Sequence, residues 1–253
     1  MAALNDFIAD NRISAAFFTT QIGNILKDMK HHLRMMCVSG EKMPPTRNPG
    51  YRYNNGGGPT ECSLYVCYYD VDTYSDGTCV GRPLPNYHIY VVDQYCNLLP
   101  QGIVGELLVA GVGLARGYMN RPELTAEKFI QFRPSASVSS FRAYHTGDLV
   151  RWNSDGNIDI IGRIDHQIKI NGLRIELGEI EKRAFNFGSL EHLIAVVKKI
   201  GDNPKICLYF SSQKAVDKDE LRAFMGEKLP DYMVPNIFIQ LDEMPMTTNG
   251  KID

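Results

Sequence analysis

From about Ser63 to Ile161 the chain breaks into short apolar runs divided by turn signals, among them His88–Asp93 (HIYVVD), Glu106–Ala110 (ELLVA) and Ile158–Ile161 (IDII). Runs of this length, bounded by Gly, Pro, Asn and Asp, are too short for helices and read as strands. The middle of the chain is therefore mainly β. One helix interrupts it, where Arg121-Pro122-Glu123 places a proline in the first turn and an acid at the positive end of the helix dipole, with an expected end at Phe129.

The flanks follow other rhythms. Ile22, Ile25, Leu26, Met29, Leu33 and Met36 recur at spacings of three and four, which predicts one helix with a buried face over 22–36. Met36-Cys37-Val38 then reads as a short strand closed by a turn at Ser39-Gly40-Glu41, and the Pro- and Gly-rich stretch 44–59 as a loop without regular structure. Beyond Asp165 the order predicted is strand Gln167–Ile170, helix Leu177–Phe187, strands Leu193–Lys199 and Ile206–Phe210, helix Lys218–Leu229 and strand Ile237–Leu241, a small α+β unit with helices on one sheet face. Leu177, Ile180, Ala184 and Phe185 are expected in its core, and Trp152, the single tryptophan, in a structural role.

A net charge of −2 gives no electrostatic case for nucleic acid. The start, Met1–Arg12, has neither the basic end nor the apolar run of a signal peptide, and no stretch approaches a membrane span. A cytoplasmic protein is expected. Six scattered cysteines with no C-x-x-C pair read as reduced thiols, and the adjacent His31 and His32 point about 100° apart on a helix, a poor metal geometry.

Four clusters could carry chemistry. Gly57-Gly58-Pro59-Thr60-Glu61 joins close backbone approach to a hydroxyl and a carboxylate, a set suited to phosphate and Mg²⁺. Tyr144-His145-Thr146-Gly147-Asp148-Leu149 sets an acid after a glycine turn, where it could accept both hydroxyls of a ribose. Gly162–Lys169 packs charges onto alternate positions, and Asn249-Gly250-Lys251 sets a lysine on a turn. Taken singly, each is equally well an ordinary structural turn.

Together and in this order they resemble the amino-acid adenylation domains of nonribosomal peptide synthetases, within the adenylate-forming superfamily that includes acyl-CoA ligases and luciferase. The resemblance runs from about Ile13 to Asp253 and includes the runs GELLVAGVGLARGYMNRPELTAEKF from Gly105, YHTGDL from Tyr144, GRIDHQIKINGLRIELGEIE from Gly162, LPDYMVP from Leu229 and NGKID from Asn249. It implies the C-terminal part of the adenylate-forming large domain in α/β and β sections, followed by a small mobile α+β domain. The boundaries implied are 1–164 (α/β over 1–75, mainly β over 76–164) and 165–253. The implied activity is ATP-dependent formation of an aminoacyl-adenylate and transfer to the phosphopantetheine thiol of a peptidyl carrier protein, in cis or in trans. By matching position, Gly58 and Thr60 would contact phosphate, Glu61 would help hold Mg²⁺, and Asp148 and Arg163 would bind the ribose hydroxyls. Lys251 would be the adenylation lysine, Asp165 the hinge, and Lys169, Gly172 and Arg174 would line the pantetheine tunnel. Phe17, Cys37, Ser39, Gly56, Leu64 and Tyr65 would form the substrate pocket, although Phe17, Leu64 and Tyr65 suit plain core packing equally well.

The chain departs from the family at three places. Gly57 stands where an aromatic residue usually stacks on adenine, a contact worth about 1–3 kcal/mol by analogy with base stacking. The loop from Glu41 to Tyr53 is short, and Asn171 replaces a common arginine. The Ser/Thr/Gly-rich loop with its lysine is not found either, nor the aspartate that pairs with the substrate α-amino group, so the chain is expected to be a fragment. Two alternatives stay open: a stand-alone ligase loading D-alanine or an acyl group onto a carrier or coenzyme A, and a truncated binding module without activity.

Overall fold

The computed structural model describes residues 1–165, 167–170, 172–201 and 203–246. The chain divides after Asp165 into two compact units.

In the first unit, helix α1 (Ala2–Asp10), which the sequence reading missed, turns Ile8 and Leu4 into an apolar cluster with Leu26, Met36, Val38 and Tyr53. Strand β1 (Ala15–Thr19) leads directly into α2 (Thr20–Leu26), whose first turn is capped by the Thr19 hydroxyl accepting from the Ile22 amide at 3.5 Å. The helix predicted over 22–36 stops at Leu26, because β2 (Met35–Ser39) must run parallel beside β1 and claims Met35 and Met36, the last two residues of that span. Met29, Leu33 and Met36 still face that cluster, from a turn, a loop and a strand in succession. The spacing recorded burial rather than helix.

The stretch 44–59 also departs from expectation. It contains β3 (Thr46–Arg47) and β4 (Arg52–Gly57), and β4 continues the parallel pairing of β2 with residues 53–57 buried. Its glycines mark close approach rather than irregularity. A Cβ at Gly56 would sit 2.0 Å from the Tyr65 ring, and one at Gly58 2.9 Å from the Leu64 carbonyl and the Val66 amide. From here the sheet becomes antiparallel through β5 (Cys67–Asp70), while the short β6 (Tyr74–Ser75) pairs with β3.

The sheet then runs through β7 (Cys79–Pro83), β8 (Tyr87–Val92), β9 (Gly105–Gly111), β10 (Phe129–Phe132), β11 (Phe141–Trp152) and β12 (Ile158–Arg163). Its order is β1-β2-β4-β5-β7-β12-β11-β9-β8, with β10 on β11. The anticipated helix is α3 (Pro122–Lys128), with proline in its first turn. Alternation along β8 and β9 sends Ile89, Val91, Leu107 and Val109 into one cluster, against which Trp152 packs, and Val92, Leu108 and Ala110 into another.

In the second unit, β13 (Ile168–Ile170) and β14 (Leu173–Ile175) form a hairpin that extends the predicted order by one strand, with Gly172 at φ +79°. Helix α4 (Leu177–Phe185), β15 (His192–Ile200), β16 (Asn203–Ser211), α5 (Lys218–Gly226) and β17 (Ile237–Leu241) follow, the strands ordered β15-β16-β17. Ile180 and Ala184 of α4 and Leu221 and Met225 of α5 meet Ala195, Leu208, Phe210 and Phe238 of the sheet. Phe185 does not join them. It lies about 100° around the helix from Ala184 and is 58% exposed, contrary to the reading from composition.

Candidate functional site

After β4, Pro59 enters a single 3₁₀ turn, Thr60–Cys62, that leaves Thr60 exposed and buries Glu61 to 8%. A carboxylate so far from water needs partners. Tyr118 donates to Glu61 Oε1 at 2.7 Å, its hydroxyl lies 3.2 Å from that of Tyr144, and the Ala115 amide donates to the Glu61 carbonyl at 2.7 Å. Burial first, then Tyr118 and Glu61, push the Tyr144 phenol far above its ordinary value, so it stays protonated. Both tyrosines lie in runs that carry the family resemblance, but nothing in their spacing revealed the hydroxyl chain.

Tyr144 begins the second cluster. Against β9, the register of β11 shifts between His145 and Leu149, and Gly147 occupies that irregularity at φ +74°. An added Cβ there would come within 2.8 Å of Arg163 Nη2, at the end of a side chain, but the positive φ is what calls for glycine at this bulge. Glu106 secures it from β9, with Oε1 accepting from the Gly147 amide at 3.0 Å, while the Thr146 hydroxyl donates to the Leu107 carbonyl at 2.8 Å.

Beyond the bulge, Asp148 is the cross-strand partner of Arg163 on β12. Arg163 Nη1 donates to Asp148, Nη2 donates to the Thr146 carbonyl at 3.0 Å, and Nε and Nη2 grip Asp165 at 2.7 and 2.9 Å. Burial disfavours the guanidinium charge, but the Asp165 hydrogen bonds and the two carboxylates outweigh it and raise the Arg163 pKa further. Burial first, with Glu61 and Asp148 adding, drives the Cys62 thiol up to about 12, and burial drives Cys67 equally far against its hydrogen bond to the Gly57 carbonyl. Tyr118, which donates to Glu61 and lies 3.2 Å from the Tyr144 hydroxyl, ties the turn at 60–62 to the strand that carries the bulge.

Of the pocket residues named from sequence, Phe17 and Cys37 lie in register across β1 and β2; Asn54 of β4, which the sequence reading did not name, is next in register and accepts from the Cys37 thiol through Oδ1 at 3.4 Å. Phe17 meets the Tyr65 ring edge-on at 5.3 Å, and Tyr65 covers Gly56. Phe17 and Leu64 are 44% and 55% exposed, so neither is a core residue, whereas Ser39 is buried. Tyr65 Oη is buried with no hydrogen-bond partner among the described residues. At Gly57 a Cβ would lie 3.2 Å from Cys67 Sγ and 3.3 Å from Val80, so the missing aromatic ring coincides with a tightly packed backbone.

The remaining calls fall in the second unit or outside the described residues. Lys169 and Arg174 are cross-strand partners in the β13–β14 hairpin, Gly172 forms its turn, and Arg174 Nε lies 3.5 Å from Glu176. Lys251, with Asn249 and Gly250, lies outside the described residues, as does Asn171.

Residues 2–119 match the model of a family described as AMP-binding enzyme. The matched stretch is just under half of the chain. Bacitracin synthase 3 of Bacillus licheniformis is 41% identical over 99% of the chain, and zwittermicin A synthase ZmaJ of Bacillus cereus 42% identical over 87%. Among solved structures, NpsA-ThdA, an artificially fused adenylation–PCP di-domain NRPS from Klebsiella oxytoca, matches 94% of the chain at 26% identity with a TM-score of 0.76. The chain spans 4%, 44% and 46% of these proteins respectively, less than half of each. Both curated relatives are named as synthases, and no helix among the described residues is long and apolar enough to cross a membrane.

Proposed function

We propose that this AMP-binding chain is the C-terminal portion of an amino-acid adenylation unit of a nonribosomal peptide synthetase. In the reaction, a carboxylate oxygen of the amino acid attacks the α-phosphorus of ATP and the bond to pyrophosphate breaks. A phosphopantetheine thiol on a peptidyl carrier protein then attacks the acyl carbon, and AMP leaves. The observation that carries the reading is the Arg163 cluster, where a guanidinium held by Asp148, Asp165 and the Thr146 carbonyl fixes the Asp148 carboxylate just after the Gly147 bulge. A carboxylate placed in this way accepts vicinal hydroxyls, which suits a ribose.

Thr60, exposed at the turn, is assigned to phosphate, together with the Gly58 backbone. We assign Glu61 to magnesium, since Mg²⁺ takes one or two carboxylates and completes its shell with phosphate oxygens and water. When bound, the ion would neutralise phosphate charge. Tyr118 keeps the Glu61 carboxylate oriented in its buried turn. We assign Lys251 to the substrate carboxylate and the bridging α-phosphate oxygen, where a positioned cation offsets growing charge. Asp165 is assigned as hinge, Lys169, Gly172 and Arg174 to the pantetheine tunnel, and Phe17, Cys37, Ser39, Gly56, Leu64 and Tyr65 to the amino-acid side chain.

The test is amino-acid-dependent ATP–pyrophosphate exchange by the full-length polypeptide that carries this chain, across the twenty common amino acids, D-alanine and a set of acyl carboxylates. Exchange above background with one amino acid or a few related ones is the expected outcome. Exchange with acyl carboxylates or D-alanine alone would point to the stand-alone ligase, and none with any substrate would leave only a binding module.

A further inference from the structure

A second group of reactive side chains gathers where the turn after β8 meets β9 and β11. Asp93 folds the turn after β8: its Oδ1 accepts from the amides of Tyr95 at 2.8 Å and Asn97 at 2.9 Å, and Cys96 follows at φ +62°. The turn sets Cys96 Sγ 3.7 Å from His145 Nε2, and His145 Nδ1 lies 2.9 Å from Glu106 Oε2. Burial works against the Glu106 charge, but the His145 contact and the Gly147 amide outweigh it and hold the carboxyl below its usual range. An ionised carboxylate only accepts. The proton of a neutral His145 therefore sits on Nδ1, and the lone pair of Nε2 faces the thiol.

We propose that Cys96, His145 and Glu106 form a base-assisted thiol site that takes a soft electrophile, an α,β-unsaturated carbonyl compound. The nucleophile, the base and the group that orients the base stand in the sequence such chemistry requires. Nε2 of His145 takes the Sγ proton as Sγ adds to the β-carbon, and the electron pair of the carbon–carbon double bond moves to the enolate. The imidazolium returns its proton to the α-carbon, so the adduct forms with no other reactant. Burial, then the carboxylates of Glu106 and Asp93, push the thiol up, so at rest it is protonated and depends on its base. The charged groups facing the relay are Glu106 on β9, Asp93 in the turn and Lys128 at the end of α3, the last through its effect on Glu106.

None of the other thiols has this surrounding. Cys62, Cys67 and Cys207 are buried, Cys37 donates to Asn54, and burial with nearby acids drives Cys79 up to about 11.

Wild-type protein treated with limiting N-ethylmaleimide and mapped by peptide mass spectrometry should label Cys96 at least about tenfold faster than Cys37 or Cys79, a floor set below the roughly 10²–10⁴-fold of general-base assistance. His145→Gln should bring Cys96 down to their rate without changing theirs. An unchanged Cys96 rate in that variant, with Cys62, Cys67 and Cys207 still protected, would overturn the proposal, since exposure alone would then explain the labelling. If the variant exposes those three, the wild-type pH profile decides: a plateau across neutral pH supports the relay, and a steady rise of about tenfold per unit, the mark of an unassisted thiol, refutes it.

Discussion

Arg163→Ala is expected to weaken nucleotide binding by about 30-fold or more, because it removes a charge-assisted contact worth roughly 2 kcal/mol. It also leaves Asp148 and Asp165 facing each other without the guanidinium that now bonds both. The effect is discounted for solvent, since the Arg163 side chain retains 20% exposure and Asp165 46%. Lysine should restore only part of the loss, for it cannot grip Asp165 through two parallel N–H groups while donating to Asp148 and the Thr146 carbonyl. Calorimetric titration with AMP checks both variants. Adding Asp165→Asn to Arg163→Ala should recover some affinity if repulsion between the carboxylates is part of the cost, and no recovery would assign the whole loss to the ribose contact.

Phe210→Ala should be the most damaging change in the second unit. Phe210 is fully buried on the central strand β16, between β15 and β17, in the cluster that α4 and α5 close. Truncating a buried phenylalanine costs about 3–5 kcal/mol in transfer and cavity terms, against a total stability of roughly 5–15 kcal/mol for a typical domain. Hydrogen exchange should show amides of α4, α5, β15 and β16 losing protection by about 10²–10³-fold, at 1.4 kcal/mol per factor of ten. Amides of β4, β9 and β11 should keep theirs. Phe185→Ala, also on an aromatic but at an exposed position, should stay within about 0.5 kcal/mol of wild type. Equal damage from the two would contradict the packing described for α4.

These two phenylalanines mark where the sequence was legible. The strands of the middle section, helix α3 and the order of elements after Asp165 follow from local patterns, because strand length, proline at a helix start and turn residues act within a few positions. Phe185 was misread since apolarity was taken for direction, and only the helical rotation from Ala184 separates them. The helix expected over 22–36 failed for a non-local reason: β2 needs Met35 and Met36 beside β1, and core contacts outweigh weak helix propensity. The glycines of 56–58 hid a strand because their cause, the Tyr65 ring and the backbone of residues 64–66, comes from residues that follow them.

The candidate site divides in the same way. Glu61, Asp148 and Arg163 stood out because they sit in compact motifs. Tyr118, Tyr144 and Glu106, which orient them, did not, since their partners are 57, 26 and 41 residues away. Cys96 and His145, 49 residues apart, meet only through the β8–β9–β11 pairing. A scan of local spacing does not register such pairs.

The central claim is that the Asp148–Arg163 pair grips a ribose, and its most direct test compares AMP with 2′,3′-dideoxy-AMP by calorimetric titration of the wild-type protein. With hydrogen bonds to a charged group worth about 1.5–3 kcal/mol, the dideoxy nucleotide should bind at least about tenfold more weakly. Equal affinity for the two nucleotides would contradict the assignment.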